Sequence, residues 1–264
     1  MSPIILINDP DDPRLAPFRS LRTRTEAGEA VAIADGLRVI EQLITSGATL
    51  TACVTTENDE SALAALFAGD APPTYRLSRE VASKLVGYRY HGGVMAAVET
   101  PSTDRTLDQL GSHIVALGGL EKGDNVGAIV RSARGLGWSG LLTERAAASP
   151  FERVAIRVSR GTTVTFPTRC SDDLVGDLKA LAEEGAEIIA ADLDGTPLAE
   201  WTARPTPIAR TVLLLGREGE GLSEELRAIA TETVSIPLSG GVESLNVAAA
   251  AAILLHAGVS RPTA

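Results

Sequence analysis

The chain has 264 residues, 44 % of them hydrophobic, and a formal net charge of −10. That length holds one large domain or two small ones, and the composition is that of a globular core rather than of a disordered chain. The longest strictly apolar run, Val247–Leu255, is too short to span a bilayer. No basic stretch leads into an apolar one at the N-terminus, and the two cysteines, Cys53 and Cys170, form neither a disulfide scaffold nor a CxxC zinc pair. A cytoplasmic α/β protein with no membrane and no metal partner is the expectation. Residues 1–100 carry 9 basic and 13 acidic groups and the rest 15 and 21, so neither part is a basic nucleic-acid module by bulk charge. Of the 24 basic residues only Lys84, Lys122 and Lys179 are lysines. Arginine favours bidentate contact with phosphate or carboxylate. Biased genome composition and a local basic patch both account for the excess.

In chain order, Ala30–Ala34 reads as a short strand. Leu37, Val39, Ile40, Leu43 and Ile44 then fall at helical spacing before Gly47. Leu50–Thr55 is a strand and Ser61–Phe67 a helix, followed by a turn at Asp70–Pro73. Ser78–Leu85 is a helix with Ser78 as N-cap, and Gly93–Val98 a strand. These make a small α/β domain over 1–100. Residues 101–111, opening on PSTDR, are the expected linker.

The second domain, 112–264, has longer elements. His113–Leu117, Leu141–Thr143, Glu187–Ala191, Thr211–Leu215 and Val234–Ile236 read as strands. Val126–Leu136 reads as a helix capped by Asn125, and Pro150–Ser159 as one capped by Ser149. Asp173–Glu184, Leu222–Ala230 and Leu245–Ala257 complete the helices. Strands alternating with helices predict a parallel sheet covered on both faces.

Three glycine-rich turns carry the candidate chemistry. GGLEKGDNVGAIVRSARGLG (118–137) joins a strand to a helix and brings Asn125 and Arg131; a free helix N-terminus with a nearby arginine suits an anion. LLLGREGEGLSEE (213–225) puts Glu218 among glycines at the carboxyl end of a buried strand, where open parallel sheets bind ligands. IPLSGGVESLNVAAAAAILLHAG (236–258) places Glu243, Ser244 and Asn246 before a helix of small residues. Each turn alone also reads as an ordinary loop. GLGWSG at 135–140 matches GxGxxG but follows a helix and precedes a strand, the reverse of a dinucleotide site. His91, His113 and His256 are scattered. Arg153, Arg157 and Arg160 share one helical side and, with Arg131 and Arg134, suggest a basic patch; Arg134, Arg157 and Arg160 are the expected RNA contacts. Arg14, Arg19, Arg22 and Arg24 form a second cluster, diluted by Asp9, Asp11, Asp12, Glu26 and Glu29. Tyr88–Arg89–Tyr90–His91 fits either an RNA-stacking run or an edge strand with core tyrosines.

The three turns occur together in this order, and in that combination residues 112–260 resemble the SpoU/TrmH family of RNA ribose 2′-O-methyltransferases in the SPOUT superfamily. NVGAIVRSARGLG resembles the first family motif, LLLGREGEGL the second and IPLSGGVESLNVAAAAAILL the third. The chain departs from the family pattern at Ala248, where a serine often stands, and at Lys122–Asp124, where an Asp-Pro pair is usual. The resemblance implies a C-terminal parallel-sheet domain threaded into a trefoil knot, preceded by a small α/β RNA-binding domain, and a homodimer with its active site near the interface. It implies S-adenosylmethionine held near Leu215, Gly216, Gly221, Ile236, Leu238 and Leu245. It assigns catalysis to Asn125, Arg131, Glu218, Ser244 and Asn246, acting on rRNA or tRNA. The alternative is a dimeric RNA-binding protein of the same fold with little or no catalysis.

Overall fold

The computed structural model describes residues 4–21, 31–67, 69, 71–91, 93–205 and 210–261. Arg22, Arg24, Glu26 and Glu29 of the second arginine cluster, and Ala30 and Asp70 of the expected strand and turn, lie outside them. The strands are β1 (Ile4–Leu6), β2 (Val31–Asp35), β3 (Leu50–Thr55), β4 (Thr74–Arg76), β5 (Val94–Glu99), β6 (His113–Leu117), β7 (Gly140–Glu144), β8 (Thr168–Ser171), β9 (Glu187–Pro197), β10 (Thr211–Leu215) and β11 (Glu232–Ser235). The helices are α1 (Leu37–Thr45), α2 (Glu60–Ala64), α3 (Arg79–Val86), α4 (Gly123–Gly135), α5 (Arg153–Val158), α6 (Thr162–Thr165), α7 (Leu174–Glu183), α8 (Leu198–Thr202), α9 (Glu224–Ile229) and α10 (Val247–Val259).

The chain divides into two compact units, Met1–Pro101 with Pro150–Thr165, and Ser102–Ser149 with Phe166–Ala264. The first holds a five-stranded sheet in the order β1-β4-β3-β5-β2, with β5 antiparallel to both neighbours. Ser78 caps α3 as expected, accepting from the Val81 amide at 3.2 Å, and Gly87 ends the helix at φ 78°. Three expectations change here. Residues 150–165, read as part of the second domain, build α5 and α6 of the first unit. There Phe151, Ile156 and Val164 bury against Ala32, Ala34, Val39, Leu43 and Val98. The helix in this segment begins at Arg153 after Glu152, not at Pro150 under a Ser149 cap. The Tyr88–His91 run is a loop after α3 with Tyr90 buried, not an edge strand.

The second unit is a six-stranded, all-parallel sheet in the order β11-β9-β10-β6-β7-β8. β6 and β10 lie at its centre, and their near-continuous apolar sequences are buried on both faces, as the parallel reading requires. Side chains alternate by two. Val115, Leu117, Leu213 and Leu215 face one core with Val126, Ile129 and Val130 of α4 and Leu254 and Leu255 of α10. Ile114, Ala116, Val212 and Leu214 face the other, with Leu178 of α7 and Leu226 of α9. Trp138 ties α10 down by donating its Nε1–H to the Leu255 carbonyl at 3.0 Å. Residues 102–111, expected to be a linker, are built into this unit: Leu110 is fully buried, and a β-carbon on Gly140 would meet its carbonyl at 2.5 Å. The α4 helix also starts earlier than expected, at Gly123, so Asn125 lies inside its first turn and is not the cap.

Candidate active site

The site forms at the carboxyl ends of β9, β10 and β11, the edge at which open parallel sheets bind ligands. β10 ends at Leu215 and runs into a tight loop. Arg217 and Gly221 exchange backbone hydrogen bonds, each 3.0 Å, and Gly219 and Gly221 take φ values of 84° and 72°. A β-carbon on Gly216 would stand 2.3 Å from the Gly221 carbonyl carbon, so only glycine lets the loop fold back on its strand. The loop holds Glu218 toward the first turn of α4.

There the three glycine-rich segments meet. The Asn125 side-chain amide donates to Glu218 Oε1. The Asn246 amide donates to Asn125 Oδ1 at 3.1 Å. Lys122 Nζ lies 3.7 Å from Glu218 Oε1. Asn125 is buried, at 6 % exposure, and both ends of its amide are used, which fixes its orientation. Asn246 also caps α10, its Oδ1 accepting from the amides of Ala248 and Ala249 at 2.9 and 3.3 Å. Asn246 is thus the N-cap of α10.

A cavity of about 510 Å³ opens beside this network. All six residues expected to hold the cofactor line it: Leu215, Gly216, Gly221, Ile236, Leu238 and Leu245. Glu218, Ser244 and Asn246 of the expected catalytic set line it too. Asn125 stands behind them as their brace. Arg131 is not among the lining residues. It sits six residues further along α4, about 600° round at about 100° per residue, on an exposed face. Arg134 is exposed on the same helix. Arg157 and Arg160 are exposed in the first unit, where Arg160 falls beyond α5 at φ 54°. Arg153 of that row instead holds Asp35 at 3.5 Å and the Tyr88 hydroxyl at 2.6 Å. Arg153, Arg157 and Arg160 belong to the first unit, and Arg131 and Arg134 to the second.

The sequence reading missed Asp192, Leu193, Arg217 and Arg227, which also line the cavity. The acidic Asp192–Leu193–Asp194–Gly195 run at the end of a parallel strand was the available signal. Arg217 clamps the loop from outside, with Nε donating to the Gly119 carbonyl at 3.3 Å and Nη1 to Glu220 at 3.2 Å. Among the described residues no group of three or more His, Cys, Asp or Glu is arranged to hold a metal.

The model of the SpoU rRNA Methylase family matches residues 112–256. An uncharacterized tRNA/rRNA methyltransferase of Mycobacterium tuberculosis is 35 % identical over 262 residues, covering 94 % of this chain and 89 % of the relative. The chain belongs to the SpoU rRNA Methylase family. Among solved structures, the SpoU methyltransferase AviRb of Streptomyces viridochromogenes in complex with AdoMet aligns at TM-score 0.78 and 24 % identity, over 94 % of this chain and 97 % of that one. An AdoMet-bound rRNA methyltransferase of Sinorhizobium meliloti aligns at TM-score 0.78 and 23 % identity, over 96 % and 97 %. At these identities they establish the shared fold, a SpoU α/β architecture with a parallel sheet. The cavity of this SpoU-family methyltransferase fits an adenosyl group on its own evidence. Its apolar wall of Leu215, Ile236, Leu238, Leu245 and Leu254 suits a base, and Gly216 and Gly221 bare their backbone at its floor.

Proposed function

We propose that this SpoU-family methyltransferase methylates a ribose 2′-hydroxyl of rRNA or tRNA with S-adenosylmethionine as donor. The observation that carries the reading is the meeting of Asn125, Glu218 and Asn246, from three separate segments, at one edge of an adenosyl-sized cavity. A pure binding protein has no need of a buried amide whose two ends hold a carboxylate and a helix cap. The likeness to relatives described as tRNA/rRNA methyltransferases supports the RNA substrate. The fold shared with a solved RNA 2′-O ribose methyltransferase is in keeping with the ribose target.

The donor supplies an already activated methyl group, so the protein's work is positioning. Leu215, Gly216 and Gly221 hold the adenosyl end, with Ile236, Leu238 and Leu245 around it. Glu218, fixed by Asn125 and Lys122, accepts a hydrogen bond from the ribose at the cavity edge, and Ser244 and Asn246 shape the opening. A guanidinium carries donors and no acceptor, so Arg131 is not assigned the role of base. From the exposed face of α4 it is assigned the RNA phosphate beside the reacting ribose. Arg134, Arg157 and Arg160 hold further phosphates. The trefoil threading and the homodimer belong to the same proposal. The threading is what the resemblance to the family implies.

The test is transfer of labelled methyl from S-adenosylmethionine to RNA lacking its native modification, followed by digestion to nucleosides. Label in a 2′-O-methyl nucleoside is the expected result. Label on a base instead would refute the ribose assignment. Binding of S-adenosylmethionine with no label on any rRNA or tRNA would favour the non-catalytic RNA-binding protein.

A further inference from the structure

The cavity holds a carboxylate to which the scheme above gives no role. β9 and β11 pair as Glu232 with Ile189 and Thr233 with Ala190, then resume only at Val234 with Thr196. Residues 191–195 therefore leave the ladder and project from the carboxyl edge of the sheet. The bulge closes at Gly195, where a β-carbon would meet the Thr233 carbonyl at 2.6 Å. Asp192 is carried on this bulge and lines the cavity wall. Its side chain is 14 % exposed. Oδ1 accepts from the Leu193 amide at 2.7 Å, which fixes the carboxylate plane. Oδ2 is buried and accepts no hydrogen bond, although Arg227 Nη2 of α9 stands 2.7 Å away as its ion-pair partner.

We infer that Asp192 is the specificity residue for the ribose of the methyl donor, its carboxylate accepting the 2′- and 3′-hydroxyls. The inference rests on the S-adenosylmethionine reading. An ionised carboxylate has about four acceptor sites, and here the protein uses at most two. Oδ2 is met by one Arg227 nitrogen, so a further acceptor site on the carboxylate remains for a ligand donor at the cavity wall. Arg227 decides which donor. It already balances the charge of Asp192, so the ligand's ammonium group gains little there and meets a like charge. A neutral cis-diol brings two donors and no charge. Arg227 is itself 48 % exposed, so a small swing of its side chain admits the hydroxyls.

The experiment is calorimetric titration of the full chain with S-adenosylhomocysteine and with its 2′,3′-dideoxyribose counterpart. Wild type is expected to bind the hydroxylated ligand about 10- to 100-fold more tightly, the factor set by hydrogen bonds to a charged group. Asp192→Ala is expected to lose that discrimination, binding both ligands alike. Arg227→Gln keeps the carboxylate and is expected to keep the discrimination. If Asp192→Ala does not fold, Asp192→Asn is expected to narrow the ratio at least fivefold. An Asp192 variant that discriminates as well as wild type overturns the inference alone. So does an Arg227→Gln protein that behaves like Asp192→Ala, since Asp192 would then serve only the ion pair. Wild type that binds neither ligand overturns the cofactor reading as well.

Discussion

Single positions set the tolerances of this site. At Gly216 the missing β-carbon leaves room for the Gly221 backbone, and no flexible side chain is there to yield. Gly216→Ala is expected to push the loop from Arg217 to Gly221 off β10. The strain costs about 1–3 kcal/mol, read as a lower urea midpoint, and S-adenosylmethionine affinity falls at least tenfold. Unchanged affinity would mean that the loop is not part of the binding floor. Cys53 makes a different residue-scale prediction. Burial inside the first sheet pushes its thiol up to about 12. Only the thiolate reacts with disulfide reagents, so at pH 8 Cys53 should stay unmodified in the native chain and react at once in urea. The sign follows from the cause: burial penalises the charged form, so a neutral thiol persists until the pH nears that value. Rapid native labelling of Cys53 would show that the first sheet opens.

At the level of elements, Asn246 serves two structures at once, and the two roles are separable. As the α10 cap it offers an acceptor, and as a member of the site it donates its amide to Asn125. Asn246→Asp keeps the acceptor and loses the donor. Its urea midpoint should stay close to wild type while methyl transfer falls at least tenfold. Asn246→Ala loses both and should also lose about 1 kcal/mol of stability. If Asn246→Asp keeps full activity, the Asn246–Asn125 contact is structural only. Local pattern decides which elements the sequence displays. The strands buried on both faces, β6 and β10, announced themselves by unbroken apolar runs. β1 and β4, three residues each, are too short to display a period, and β8 carries the polar sequence TRCS. The cap at Asn125 was misread because the first turn of α4, Gly123–Asp124–Asn125, has no apolar residue to mark it. Asp192 was missed because β9 runs past its apolar half, and the bulge that turns the carboxylate inward depends on pairing with β11, far along the chain.

For the whole molecule the question is how a chain of net charge −10 binds a polyanion. The total charge opposes long-range attraction of RNA, so any attraction comes from a local arrangement of arginines. Screening limits that repulsion to about 8 Å at physiological salt, so contacts made by a few exposed arginines survive it. Arg134, Arg157 and Arg160 are exposed, and the proposal gives each one phosphate. With the phosphate held by Arg131, four contacts predict that log affinity falls with log salt at a slope of about −3 to −4, set by −0.7 to −0.9 per neutralised phosphate. Replacing any one by glutamine should weaken binding to all RNAs alike and bring the slope nearer zero by about one. Filter binding between 50 and 200 mM salt reads both quantities. A steep slope that none of the three substitutions changes would mean that the phosphates are held elsewhere. A slope near zero would mean that RNA is gripped through its bases, for which the Tyr88–His91 loop then becomes the first place to substitute.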